Sequence, residues 1–301
     1  MNAIILAGKD KSSKRQLRKQ EKELKVAYPG EHYFIGEEEY KPLFRVNEKC
    51  LVQYVVDACA NSKSIENVFV VGQKCRLEKE LENCSIIESC GSLIKNALRG
   101  YSESNSEGNA VFLGCDIPLV KGEHIDEFIN GCLKYDNGLC VSLVEQKYLK
   151  GHEMNNRKCF PLKEGNYRWA NMFFGNPVKL NLDKLNRIVN LLYHNRKLMT
   201  SSAKRNIVLD LAKEIPVMKL FPKMLRYFVI SRLFENQKLS MMELEQLTRN
   251  CLDIDLKLVE TKHYEPSLDV DSREDLEYVR ELMLDCEVPR PGFEPGSQPV
   301  S

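Results

Sequence analysis

The chain has 301 residues, with 44 Lys+Arg against 43 Asp+Glu and a formal net charge of +1 at pH 7. That length suits one large domain or two ordinary ones; 43% hydrophobic residues suffice for a core, and 29% charged residues exclude a collagen-like or low-complexity chain. The near-neutral total excludes a whole-molecule field toward nucleic acid or membrane, so any electrostatic function is local.

Residues 3–7 read as a short buried strand that ends at Gly8. This apolar run is too short for a signal peptide and has no charged segment before it. No uncharged stretch reaches the length of a membrane span, and the expectation is a soluble, cytoplasmic chain. Residues 9–25 are polar and strongly basic, a long loop or a solvated helix, broken by Pro29 and Gly30. Order resumes near Tyr40-Lys41-Pro42-Leu43.

Apolar spacing predicts a helix over 51–60, then strands over 68–71 and 85–88. Gly91-Ser92 opens a helical pattern that Gly100 is expected to stop. Residues 110–113 read as a strand leading into Gly114-Cys115-Asp116-Ile117-Pro118-Leu119; residues 125–133 read as a helix and 139–144 as a strand. This alternation predicts a mostly parallel sheet covered on both faces, with ligands at the carboxyl ends of its strands. Further on, residues 168–174 read as a strand, and helical patterns occupy 180–193, 204–213, 223–235 and 239–250. Residues 256–260 read as a strand and 273–284 as a helix capped by Ser272, with Asp275 three positions later. The proline-rich end, 289–301, reads as disordered.

The eleven cysteines are odd in number and lack C-x-x-C spacing. Several, such as Cys59, Cys115 and Cys140, lie in apolar stretches. A disulfide framework or zinc ribbon is not expected, and all eleven read as reduced core filler. The five histidines show no ligand spacing, and His263 reads as structural.

Asp116 ends an apolar strand just before Pro118, where a ligand would meet the sheet edge. A carboxylate there suits magnesium, which bridges to phosphates; a turn-forming aspartate explains the same pattern. In Asp269-Val270-Asp271, alternate residues of an extended segment point one way, and two carboxylates sharing a face repel unless a cation sits between them. A helix cap with a solvated neighbour is the plainer account. Leu6-Ala7-Gly8 lets backbone amides approach phosphates, as does the helix start at Gly91-Ser92. Arg168 and Asn171, flanking the only tryptophan, are candidate acceptor contacts; a core Trp169 with surface neighbours is the alternative.

Together these residues resemble the nucleotidyltransferase superfamily, in particular its molybdenum-cofactor-guanylyltransferase-like branch. The resemblance rests on residues 3–8, Lys41-Pro42-Leu43, residues 51–54, 68–72 and 91–96, 111–119, 168–172, and 269–276 with its Asp-Val-Asp-Ser start. It implies a three-layer α/β/α sandwich of GT-A type with a mostly parallel mixed sheet. The domain would span 1–285, with a basic insertion at 9–40, a mainly helical part at 178–250 and a tail at 286–301. Leu6, Ala7 and Gly8 would line the nucleotide, with Gly91, Ser92 and Asn96 near its base. Lys41 would meet the triphosphate; Asp116 and Asp271 would hold Mg2+; Arg168, Asn171 and Asp269 would face the acceptor. The family's short Ser-x-Arg-Met-Gly loop is replaced by Lys9-Asp10-Lys11-Ser12-Ser13-Lys14-Arg15, in which, by the resemblance, Arg15 would stand in for the usual catalytic arginine.

The implied reaction joins a nucleoside monophosphate, from a nucleoside triphosphate, to a small phosphorylated or sugar-like acceptor and releases pyrophosphate. The alternatives are a GT-A glycosyltransferase using a nucleotide-sugar and a non-catalytic nucleotide-binding relative. A nucleic-acid role for residues 9–25 is not expected, because the segment lacks aromatic residues for base stacking. The nucleobase, the acceptor and any oligomer stay open.

Overall fold

The computed structural model describes residues 1–8, 40–135, 138–149, 151, 159–180 and 239–287. Arg15, the basic stretch, the helical patterns at 181–193, 204–213 and 223–235, and residues 289–301 lie outside them.

The central sheet is built from β1 (Asn2–Ala7), β4 (Asn67–Gly72), β5 (Ser85–Glu88), β6 (Ala110–Gly114), β7 (Leu139–Glu145), β9 (Asn166–Gly175) and β10 (Leu256–Thr261), in the order β10-β7-β9-β6-β1-β4-β5. The short β8 (Phe160–Pro161) pairs with the outer part of β9, while β2 (Arg45–Val46) and β3 (Lys49–Cys50) form a separate two-stranded ribbon. β1 pairs in parallel with β4 and β6, and β10 with β7. Among the described strands of this sheet β9 alone runs against its neighbours β6, β7 and β8. The carboxyl ends of β1, β4, β5, β6 and β7 therefore share one edge with the first half of β9.

Six α-helices are described: α1 (Leu51–Ala60), α2 (Lys74–Leu77), α3 (Leu93–Glu103), α4 (Gly122–Cys132), α5 (Met241–Leu252) and α6 (Arg273–Glu287). Strand alternation divides the core between the two faces. Ala3, Ile5 and Ala7 of β1 pack with Val52, Val55 and Val56 of α1 and with Ile125, Phe128 and Ile129 of α4. Ile4, on the opposite face, packs with Tyr101 of α3 and with Val71 and Phe112. This is the layered α/β sandwich that the alternation predicts.

Three expectations need correction. α3 passes through Gly100 and ends at Glu103. A Cβ at Gly100 would lie 2.6 Å from Ile4 Cγ2 and 2.7 Å from Val71 Cγ2, so this glycine serves close helix–sheet packing rather than helix termination. α4 starts at Gly122, three residues earlier than apolar spacing suggested. The cysteines are not all core filler: Cys75 and Cys90 are exposed.

No helix among the described residues is long and apolar enough to cross a membrane.

Candidate active site

The site is assembled at the carboxyl edge of the sheet. β6 ends at Gly114 and turns immediately, leaving Asp116 on the rim. The segment 268–272 comes from far along the chain and is seated by a separate apolar cluster, in which Leu268 and Val270 are fully buried with Val46, Leu51, Leu276 and Val279. Burying two such side chains contributes roughly 1.5–3 kcal/mol each. With Leu268 and Val270 turned inward, the alternation turns Asp269 and Asp271 outward. A backbone hydrogen bond from Val270 N to Asp116 O, 2.8 Å, docks this segment on the end of β6. Asp275 fixes the following helix start: its carboxylate accepts from Asp271 N at 2.8 Å and Ser272 N at 2.9 Å, while Ser272 Oγ accepts from Asp275 N at 3.1 Å. The expected Ser272 cap thus sets the register of the neighbouring aspartates.

The outcome is a convergence of Asp116, Asp269 and Asp271, with one carboxylate oxygen of each within 4.8 Å of the others. Lys41 joins them. Its Nζ donates to Asp271 Oδ1 at 2.9 Å and also to Asp116 Oδ2. Both carboxylates are only 15% exposed, so little water screens the pair. Burial opposes the charge on Lys41, but the Asp116 and Asp271 carboxylates outweigh it and hold the ammonium above the usual lysine range. Burial, reinforced by the Asp116 charge, pushes the adjacent Cys115 thiol upward as well, which keeps it protonated and inert.

Lys41 is placed by a residue that sequence reasoning missed. Tyr40 is buried, and its hydroxyl donates to Ala7 O at 2.6 Å while accepting from Gln73 N at 2.9 Å. It therefore joins the ends of β1 and β4 and starts the short turn Lys41–Leu43, in which Pro42 is buried. Burial also raises its phenol well above the ordinary range, so the hydroxyl remains a donor. The only sequence signal was an aromatic residue standing at the end of a polar stretch.

Gly8 follows β1 on this edge. A Cβ there would fall 2.3 Å from Asn96 Nδ2, and Asn96 cannot easily withdraw, because it is buried and its Oδ1 accepts from Cys90 N at 2.8 Å. Ser92 caps α3 by accepting from Lys95 N at 3.4 Å, and Gly91 adopts a left-handed φ of 130° that favours glycine. Leu6, Ala7 and Gly8 thus stand beside the 90–96 turn on the same rim as Asp116. Asn171 joins from β9: its Cβ lies 3.4 Å from the Cβ position of Gly114, which in turn lies 2.7 Å from Asp116 Oδ1. Arg168 is 7% exposed, whereas Trp169 is 46% exposed, so the alternative of a core tryptophan with surface neighbours is reversed.

A second cluster lies away from this rim, where His124, His263 and Glu265 bring their ligand atoms within 4.8 Å. The imidazoles stack at 4.2 Å between centroids, and His263 Nε2 is 2.9 Å from Glu127 Oε2. His124 Nδ1 accepts from the Lys121 amide at 3.2 Å. A neutral ring that accepts at Nδ1 carries its proton on Nε2, the nitrogen facing Glu265. His124 is therefore built to close the first turn of α4 rather than to ligate a metal.

A 110-residue stretch, 36% of the chain, is 29% identical to a probable molybdenum cofactor guanylyltransferase of Thermococcus gammatolerans, and the match spans 57% of that relative's length. In overall fold the chain is similar to a hypothetical transferase from Thermus thermophilus, with a TM-score of 0.60 at 18% identity over 91% of this chain and 98% of that one. It is also similar to a CMP:2-keto-3-deoxy-manno-octonic acid synthetase complexed with CTP, with a TM-score of 0.52 at 13% identity over 95% and 99% of the two chains. Residues 35–205, more than half of the chain, match a single family, and the protein belongs to it: the MobA-like NTP transferase domain family.

Proposed function

We propose that the protein transfers a nucleoside monophosphate from a nucleoside triphosphate to a small phosphorylated or sugar-like acceptor and releases pyrophosphate. The observation that carries this reading is the meeting of Asp116 with Asp269 and Asp271 around Lys41 at the carboxyl edge of a parallel sheet, which is where open α/β sheets bind their ligands.

The donor set fits magnesium. It offers only carboxylate oxygens, the hard ligands that ion takes, and they are few enough to leave coordination positions for phosphates and water. Asp116 and Asp271 would hold it, with Asp269 beside them, and when bound it would neutralise phosphate charge. Around it, Gly8 leaves room for backbone approach, Asn96 and the 90–96 turn border the nucleotide, and Lys41 supplies a fixed positive charge. In the transfer, an acceptor oxygen bonds to the α-phosphorus while the bond to the bridging oxygen toward the β-phosphate breaks and pyrophosphate leaves. The chain's contribution is positioning and charge neutralisation, since such a transfer demands little covalent chemistry of the protein.

The test is a pyrophosphate-release assay with each of the four ribonucleoside triphosphates against sugar phosphates and phosphorylated alcohols. Magnesium-dependent release with one pairing is expected, reduced by about 100-fold or more in Asp116→Asn. Release of a nucleoside diphosphate from a nucleotide-sugar, with no pyrophosphate from any triphosphate, would replace this reading with the glycosyltransferase one.

A further inference from the structure

Trp169 is the only tryptophan of the chain, and the residue is 46% exposed. It is held in place rather than loose. Phe160 stacks on it at 4.8 Å between centroids with 27° between the planes. Phe160 is itself fixed by strand pairing opposite Tyr167, which is 2% exposed.

The register places this pair next to the site. Met172 of β9 pairs with Leu113, close to the last residue of β6. Residues 167–171 of β9 therefore overhang the edge on which Asp116 stands. Asn171 lies against Gly114, and Trp169, two residues further out, pairs with Leu143 of β7. The pairing of β9 with β7 slips in this stretch, between Val141 and Leu143, so Trp169 and Asn171 are separated by at most about 7 Å of strand, the width of one small ring. Phe173 packs in both clusters of this sheet face, that of Phe112 and that of Leu143 and Tyr167, so Asn171, Trp169 and Phe160 share the face of Gly114.

We infer that the Trp169–Phe160 pair is the acceptor platform, on which a ring of the acceptor lies flat while Asn171 and Asp116 border its reacting phosphate. The inference rests on the nucleotidyl-transfer reading for the word acceptor, and on geometry alone for the platform. An indole face takes either an aromatic heterocycle or the C–H face of a sugar by the same stacking contact. An acyclic phosphate gains nothing from it.

Because the tryptophan is unique, its emission reports the contact directly in the intact chain. With magnesium and a non-hydrolysable triphosphate present, glucose 1-phosphate and thiamine monophosphate represent the two ring classes and glycerol 3-phosphate the acyclic control. Saturable change of tryptophan emission with a ring phosphate, and none with glycerol 3-phosphate, is expected; the probe that acts at lower concentration identifies the class. In the pyrophosphate assay, Trp169→Ala should raise the acceptor KM by about tenfold, leave the triphosphate KM within about twofold, and be largely rescued by Trp169→Phe. An unchanged acceptor KM in Trp169→Ala overturns the platform. If no acceptor turns over, the transfer reading fails and the emission titration decides the platform alone: silence with both ring phosphates overturns it.

Discussion

His124 is 1% exposed, and its Nδ1 accepts the Lys121 amide, a bond that only the neutral ring makes. Burial, with the neighbouring His263 and Lys121, lowers its pKa from the ordinary 6.5 to about 4. Between those values the unfolded chain binds a proton that the folded chain refuses, so stability falls as the pH drops through this window and is unaffected above it. The loss is about 2 kcal/mol by pH 5 and approaches about 3 kcal/mol near pH 4. His124→Gln keeps an acceptor for the Lys121 amide and removes the titration. Urea midpoints at pH 7 and pH 5 are therefore expected to drop markedly less in this variant than in the wild type; equal drops would show that other groups set the acid sensitivity. At this scale the sequence was informative where chemistry is local. A strand-end aspartate and an Asp-x-Asp segment marked Asp116, Asp269 and Asp271. Tyr40 was silent because its role depends on Ala7 and Gln73, which only the folded sheet brings to it.

Helix α3 shows where element boundaries escape sequence reasoning. Glycine commonly ends helices, and the sequence pattern predicts a stop at Gly100, yet the helix continues three residues to Glu103. The reason is tertiary, since Ile4 and Val71 occupy the space that a side chain would need. Gly100→Ala therefore sets two effects against each other. Alanine favours the helix by about 1 kcal/mol, whereas overpacking against two branched core residues costs about 1–3 kcal/mol. A net destabilisation of up to about 2 kcal/mol is expected, read as a lower denaturation midpoint; a raised midpoint would mean that the helix shifts without cost. In β9 the pairing with β7 slips between Val141 and Leu143, where β9 spans four residues against two. Nothing in Arg168-Trp169-Ala170-Asn171 announces such an irregularity, and polarity alone would have placed the arginine outside and the tryptophan inside.

Over the whole molecule, strand–helix alternation was enough to read a parallel, two-faced α/β sheet. It was not enough for the strand order, because the reversal of β9 between β6 and β7 is a matter of long-range pairing. The consequence for function is that residues 41, 116 and 271, spread along most of the chain, meet within bonding reach. The separate apolar cluster under Leu268 and Val270 makes this possible, since without it the Asp269 and Asp271 carboxylates have no reason to stay beside Asp116. The most direct test is the binding of Mn2+, as a spectroscopic substitute for magnesium, to the intact chain with a non-hydrolysable triphosphate, followed by electron paramagnetic resonance. One site is expected, weakened by about tenfold or more in both Asp116→Asn and Asp271→Asn. Undiminished Mn2+ affinity in the two variants would contradict the account.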